Sequence, residues 1–213
     1  MDKNELIEKL SKHRVIPVIA IENELDALPL ADALIAGGLP LIEITFRTSV
    51  ASAVIAEIKK KRPEILLGAG TILTTEELKK AVDNGATFGV APGFNPKIVE
   101  EALKNDFPFM PGIMTPSDLE AALSLGVQNF KFFPAEAAGG VKYLSSISAP
   151  YSHKQIKFIP TGGINLSNLI EYLSLDSVIA VGGTWIAKSA DLRIKAWETI
   201  TSKCIEARKI IDK

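Results

Sequence analysis

Eight times along this chain a short run rich in valine, isoleucine and phenylalanine is followed by a longer segment with helical spacing. That alternation limits the fold more than any other feature of the sequence. The strand-like runs are Val15–Ile21, Leu41–Phe46, Ile65–Thr71, Thr87–Pro92, Pro108–Met114, Asn129–Pro134, Lys157–Gly162 and Val178–Gly182. Between them apolar residues recur at every fourth position, as in Val50, Val54 and Ile58, in Ile98 and Ala102, and in Leu169 and Leu173. This is the one-sided stripe of a helix laid over a sheet. Thr74-Thr75-Glu76-Glu77 and Thr115-Pro116-Ser117-Asp118 read as helix starts, and Gly85 and Gly126 as helix stops. Strands that alternate with helices force a parallel sheet. Over 213 residues, eight units take about 27 residues apiece, room for a strand, a helix and two short loops. A closed barrel needs that many units, whereas an open doubly wound sheet usually stops earlier. The expectation is an α/β fold, a (β/α)8 TIM barrel, with an extra N-terminal helix over Asn4–Arg14 and one domain spanning residues 1–213.

Composition agrees with a single large core. Hydrophobic residues make up 47% and charged residues 23% of the chain, which excludes disordered and low-complexity classes. At this length a fold buries roughly 70% of its unfolded surface and needs no staples. Basic and acidic side chains number 24 and 25, with a pI near 6.2, so the electrostatic footprint of a nucleic-acid binder is missing. The single cysteine, Cys204, can make no internal disulfide, which suits a reducing compartment. The start, Met1-Asp2-Lys3-Asn4-Glu5, resembles no secretory signal, and no apolar run reaches the length of a membrane span. A cytoplasmic protein that engages neither nucleic acid nor membrane is expected.

In a barrel of this type chemistry sits at the C-terminal ends of the strands. Lys131 lies in Asn129-Phe130-Lys131-Phe132-Phe133-Pro134. Alternation puts Lys131 and Phe133 on one face of the strand and Phe130 and Phe132 on the other. If the outer face packs on helices, the lysine points into the barrel. Apolar surroundings disfavour a lone ammonium, and a neutral amine in a cavity is a nucleophile for carbonyl carbon. In Leu41-Ile42-Glu43-Ile44-Thr45-Phe46-Arg47, the same alternation turns Glu43, Thr45 and Arg47 inward. Strand two stands across an eight-stranded barrel from strand six, so Glu43 and Lys131 could meet over a shared substrate. The planar fork of Arg47, one layer nearer the strand end, suits a carboxylate. Thr161-Gly162-Gly163 and Gly182-Gly183-Thr184 end the last two strands, where barrels commonly bind phosphate through exposed backbone N–H groups and a helix N-terminus.

Other features read as structure. His13 and His153, the only histidines, have no spaced acidic or cysteine partners, so no metal site is expected. Ile194, Trp197, Ile200 and Cys204 look like the buried stripe of the last helix, and Lys59-Lys60-Lys61-Arg62 like a solvated helix end.

Together, Val15-Ile16-Pro17-Val18, Glu43 to Arg47, Gly68-Ala69-Gly70-Thr71, Pro92-Gly93, Pro111-Gly112-Ile113, Lys131-Phe132-Phe133-Pro134-Ala135-Glu136, Thr161-Gly162-Gly163-Ile164 and Gly182-Gly183-Thr184-Trp185 resemble the bacterial 2-keto-3-deoxy-6-phosphogluconate (KDPG/KHG) aldolase family. The resemblance runs from about residue 14 to residue 188. It implies a class I, metal-independent aldolase without a cofactor, usually a homotrimer of (β/α)8 barrels, acting on a small keto-acid sugar phosphate. By position it makes Lys131 the Schiff-base lysine and Glu43 the general acid/base. Arg47 and Thr71 would hold the pyruvate carboxylate, and Pro92 and Phe133 an apolar wall. Thr161 would tune stereochemistry, and Gly162, Gly163, Gly182, Gly183 and Thr184 would bind the phosphate. Thr184, Ala91 and Met114 depart from the family's usual residues, which bears on fine substrate preference. The implied reaction cleaves 2-dehydro-3-deoxy-6-phosphogluconate to pyruvate and glyceraldehyde 3-phosphate, and with the same machinery 4-hydroxy-2-oxoglutarate to pyruvate and glyoxylate. An aldolase for the galactonate epimer shares nearly every motif. A phosphate-binding barrel isomerase or binder would explain the glycine loops but would leave Lys131 without a purpose.

Overall fold

The computed structural model describes residues 1–212. Its elements run α1 (Lys3–His13), β1 (Val15–Ile19), α2 (Ala27–Ala36), β2 (Leu41–Thr45), α3 (Ala51–Lys61), β3 (Leu66–Gly70), α4 (Thr75–Asp83), β4 (Phe88–Val90), α5 (Pro96–Lys104), β5 (Phe109–Met110), β6 (Gly112–Ile113), α6 (Pro116–Ser124), β7 (Asn129–Phe132), α7 (Gly140–Ser148), β8 (Lys157–Pro160), α8 (Leu169–Leu173), β9 (Val181–Gly183), α9 (Ser189–Arg193) and α10 (Trp197–Ile211). The local chemistry explains the boundaries. Thr74 caps α4 and Thr115 caps α6, each within a reciprocal capping box closed by Glu77 or Asp118. Beyond these two helices Gly85 and Gly126 take positive φ angles of 90° and 81°.

Every strand pair is parallel. One sheet has the order β5-β4-β3-β2-β1-β9 and the other β6-β7-β8. The expected strand Pro108–Met114 is present as two pieces, β5 and β6, because Pro111 has no N–H to continue the ladder. The sheets approach each other on both sides of that break and at their far edges. Lys131 N donates to Pro111 O at 2.9 Å, and single bridges join Phe158 to Val178 and Thr161 to Gly182.

Side-chain alternation divides the apolar residues into two clusters. Val15, Ile42, Ile44, Leu67, Phe130, Phe132 and Phe158 pack with the helices. Ile16, Leu41, Leu66, Phe88, Val90, Met110 and Ile159 form a second cluster that also takes Leu6 and Leu10 from α1. The sheet therefore curls round its own interior, and α1 covers one end of it. The last helix departs from expectation at one position. Ile200 and Cys204 are buried on α10, but Ile194 is 76% exposed. It follows the short α9, and Lys195, with φ 53°, breaks the chain direction before α10 begins. Among the described residues no helix is long and apolar enough to cross a membrane.

Candidate active site

Phe130 and Phe132 of β7 are fully buried on the helix side, which commits Lys131 to the interior face. It is 5% exposed, and on β2 Glu43 is 1% exposed. Lys131 Nζ donates to Glu43 Oε1 at 3.3 Å and stands 5.7 Å from the centre of the Phe133 ring. The amine is thus not alone among aromatic groups. In an interior each charge would be costly without the other, and the pair satisfies both. The contact is longer than the roughly 2.7–2.9 Å of a tight ammonium–carboxylate bond. Either side chain can turn toward a substrate without breaking a rigid bridge. Gly70 makes room for the carboxylate: a Cβ there would lie 2.0 Å from Glu43 Oε1.

Thr45, also 1% exposed, donates its hydroxyl proton to Ile19 O at 3.2 Å. A hydroxyl has one proton, so its lone pairs face Arg47, whose Nε donates to Thr45 Oγ1 at 3.1 Å. The inner edge of the guanidinium is anchored, and its terminal nitrogens meet no acidic side chain among the described residues. Thr71 follows Gly70 with φ 58°, a left-handed conformation that threonine seldom adopts. Such strain persists where the surroundings enforce it, often at a site.

These side chains border a cavity of about 220 Å³ at the C-terminal ends of the strands. Of the residues expected from sequence, Arg47, Thr71, Pro92, Lys131, Phe133, Thr161, Gly162, Gly163, Gly182 and Thr184 line it. Glu43 lies beneath the lining, in contact with Lys131. Gly183 does not line the cavity. Its missing Cβ makes way for the indole of Trp185, whose ring would lie 1.7 Å from it. Three lining residues went unassigned in the sequence: Val18, Thr45 and Ile164. Thr45 had a signal, since a third polar residue facing inward between Glu43 and Arg47 needs a partner. Val18 and Ile164 carried none.

After β8 the chain turns through Gly162 and Gly163 at φ 104° and 82°. Their carbonyls are bound on the protein side. Gly162 O accepts from Glu136 N at 3.0 Å, and Gly163 O accepts from the Asn165 and Asn168 side-chain amides at 3.3 Å each. Their N–H groups have no acceptor among the described residues. Both helices that follow, α8 and α9, are only five residues long. An anion here would therefore meet loop N–H groups and threonine hydroxyls rather than a long helix dipole. Among the described residues no group of three or more His, Cys, Asp or Glu side chains converges in metal-binding fashion.

The cavity can hold a carboxylate at Arg47, a carbonyl carbon at Lys131 and a second anion at the glycine loop. Comparison with known proteins identifies the family. The family model described as "KDPG and KHG aldolase" matches residues 6–203. The 2-dehydro-3-deoxy-phosphogluconate aldolase of Haemophilus influenzae is 43% identical over 196 residues, 92% of each chain. The KHG/KDPG aldolase of Escherichia coli K12 is 41% identical, covering 91% of this chain and 90% of that one. The crystal structure of the KDPG aldolase from Legionella pneumophila, with pyruvate captured at low pH as a covalent carbinolamine intermediate, matches with a TM-score of 0.88 at 41% identity, over 92% of this chain and 94% of that one.

Proposed function

This chain belongs to the KDPG and KHG aldolase family, and from that premise we propose that it cleaves 2-dehydro-3-deoxy-6-phosphogluconate to pyruvate and glyceraldehyde 3-phosphate through a Schiff base on Lys131. The observation that carries the reading is the buried Lys131–Glu43 pair, 3.3 Å apart at the floor of a cavity with Arg47 on its wall. Lys131 passes a proton to Glu43, its partner at 3.3 Å, and the freed amine attacks the C2 ketone of the substrate; Glu43 returns that proton to the carbinolamine hydroxyl, which leaves as water to give an iminium and a Glu43 carboxylate. Glu43, directly or through a water, takes the proton of the C4 hydroxyl. The C3–C4 bond then breaks, its electron pair moves into a C2–C3 enamine, and the aldehyde leaves. Protonation at C3 and hydrolysis of the iminium release pyruvate and restore the amine.

In this reading Arg47, held by Thr45, and Thr71 fix the carboxylate, while Pro92 and Phe133 form the apolar wall. Thr161 faces the aldehyde-derived carbon. Gly162, Gly163, Gly182 and Thr184 receive the phosphate, with Gly183 seating Trp185 behind them. The iminium itself is the electron sink, so the chemistry calls for no metal and no cofactor. The pyruvate half is shared with 4-hydroxy-2-oxoglutarate, so the same site cleaves that substrate to pyruvate and glyoxylate. We read the two curled sheets as one closed (β/α)8 barrel with α1 as its extra helix, and residues 1–213 as one domain. The family resemblance supports a homotrimer, and the buried free thiol of Cys204 suits the cytoplasm.

The test is borohydride reduction in the presence of pyruvate. One adduct is expected, on the peptide that contains Lys131, with activity unchanged after EDTA treatment. Lys131→Arg should abolish turnover with the fold intact, because arginine offers no neutral amine. An adduct elsewhere, or none, overturns the assignment, and activity lost to EDTA overturns metal independence.

A further inference from the structure

Outside the reacting groups, one buried polar contact has no part in the mechanism above. Tyr172 on α8 is fully buried, and its phenol donates to the Glu136 carboxylate. Burial first, and this bond second, push the phenol well above the usual tyrosine range, so it remains a proton donor at any working pH. Glu136 follows β7 and lies against the loop after β8. Its backbone N–H holds Gly162 O at 3.0 Å, and a Cβ at Gly163 would lie 2.6 Å from both its Cβ and its Cγ. From the other side the amides of Asn165 and Asn168 hold Gly163 O. The loop is clamped by its carbonyls, which fixes where its N–H groups stand.

We propose that the Tyr172–Glu136 pair is a positioning brace for the Gly162-Gly163 loop, and that it sets the preference for phosphorylated over unphosphorylated substrates. This rests on the proposed function, in which the loop receives the phosphate. The brace touches neither Lys131 nor Arg47, so the pyruvate half is bound and activated without it. A donor loop adds affinity for an anion only if its N–H groups already point at the phosphate when it arrives; a loop that must be ordered first loses that advantage. The Tyr172 phenol holds the Glu136 side chain toward α8.

The experiment compares cleavage of 2-dehydro-3-deoxy-6-phosphogluconate and 4-hydroxy-2-oxoglutarate by the wild-type protein, Tyr172→Phe and Glu136→Gln, with inorganic phosphate as competitive inhibitor. Tyr172→Phe should raise KM for the phosphorylated substrate about fivefold to tenfold, the scale of one lost hydrogen bond. It should weaken phosphate inhibition to the same degree and leave kcat/KM on 4-hydroxy-2-oxoglutarate within twofold. Glu136→Gln keeps the stem beside Gly163 and an oxygen that accepts from Tyr172, and should stay near wild type. Equal losses on both substrates, or none, overturn the brace. A wild-type protein with no phosphate preference and no phosphate inhibition overturns the phosphate reading of the loop as well. A selective wild-type protein with an unchanged Tyr172→Phe overturns the brace alone.

Discussion

Thr45 shows how much one hydroxyl can decide at the scale of a single residue. It gives its proton to Ile19 O and takes one from Arg47 Nε, so a single buried oxygen orients the guanidinium. Thr45→Val keeps the shape and removes both bonds. Because the carboxylate is common to every substrate, we expect KM to rise about threefold to tenfold on phosphorylated and unphosphorylated substrates alike, with kcat nearly unchanged. Steady-state kinetics on both substrates checks this, and a change confined to kcat contradicts it. The two central residues were legible in the sequence for a physical reason. Strand alternation turns a lysine between Phe130 and Phe132, and a glutamate between Ile42 and Ile44, away from the side that packs on helices, and a charge so placed needs a partner. Tyr172 was not legible, since on a stripe with Leu169 and Leu173 a phenol looks like another apolar residue. The two glycines of β9 could not be told apart, because a Gly-Gly-Thr run does not say which glycine borders the cavity and which makes room for a neighbouring indole.

At the scale of elements, α2 and α10 meet more closely than any side chain on Gly37 would allow. A Cβ there would lie 2.3 Å from Cys204 Cβ and 2.9 Å from Thr201 O, and Gly37 has an ordinary φ of −81°. The glycine is needed for space, not for backbone freedom. Gly37→Ala should therefore force α10 outward and cost about 1–3 kcal/mol, as overpacking does. Cys204 reports the same seam, since burial pushes its thiol up to about 12 and makes it a poor nucleophile. Denaturant melts should show the lost stability, and alkylation of Cys204 should be faster in the variant; unchanged rates and midpoints would refute tight packing here. The pattern of elements was largely visible beforehand because the eight apolar runs and the helical stripes have different periods. What stayed hidden were the interruptions. The missing N–H at Pro111 splits one strand, α8 and α9 stop after five residues, and the left-handed Lys195 leaves Ile194 in solvent. Each depends on one residue's backbone, which periodicity averages away.

Across the whole molecule the two ends of the curled sheet do different work, and this separates stability from catalysis. The C-terminal strand ends carry the cavity, while α1 inserts Leu6 and Leu10 into the interior cluster beside Ile16, Leu41 and Leu66. The chain's first helix is tied to its last, because Arg208 Nη1 donates to His13 O at 3.3 Å. It is tied to α8 as well, through Arg14 Nη2 and Leu173 O at 2.6 Å. Leu10 is completely buried and none of its neighbours in that cluster lines the active-site cavity. Leu10→Ala should thus leave a void that rigid strands cannot close, at a cost of about 2–5 kcal/mol. Over the same temperatures at which the variant remains folded, its kcat and its borohydride-trapped pyruvate adduct should match those of the wild-type chain. A loss of kcat in step with stability would mean that the helix-covered end communicates with the Lys131–Glu43 pair, and that the strands between them are not the rigid partition their packing implies.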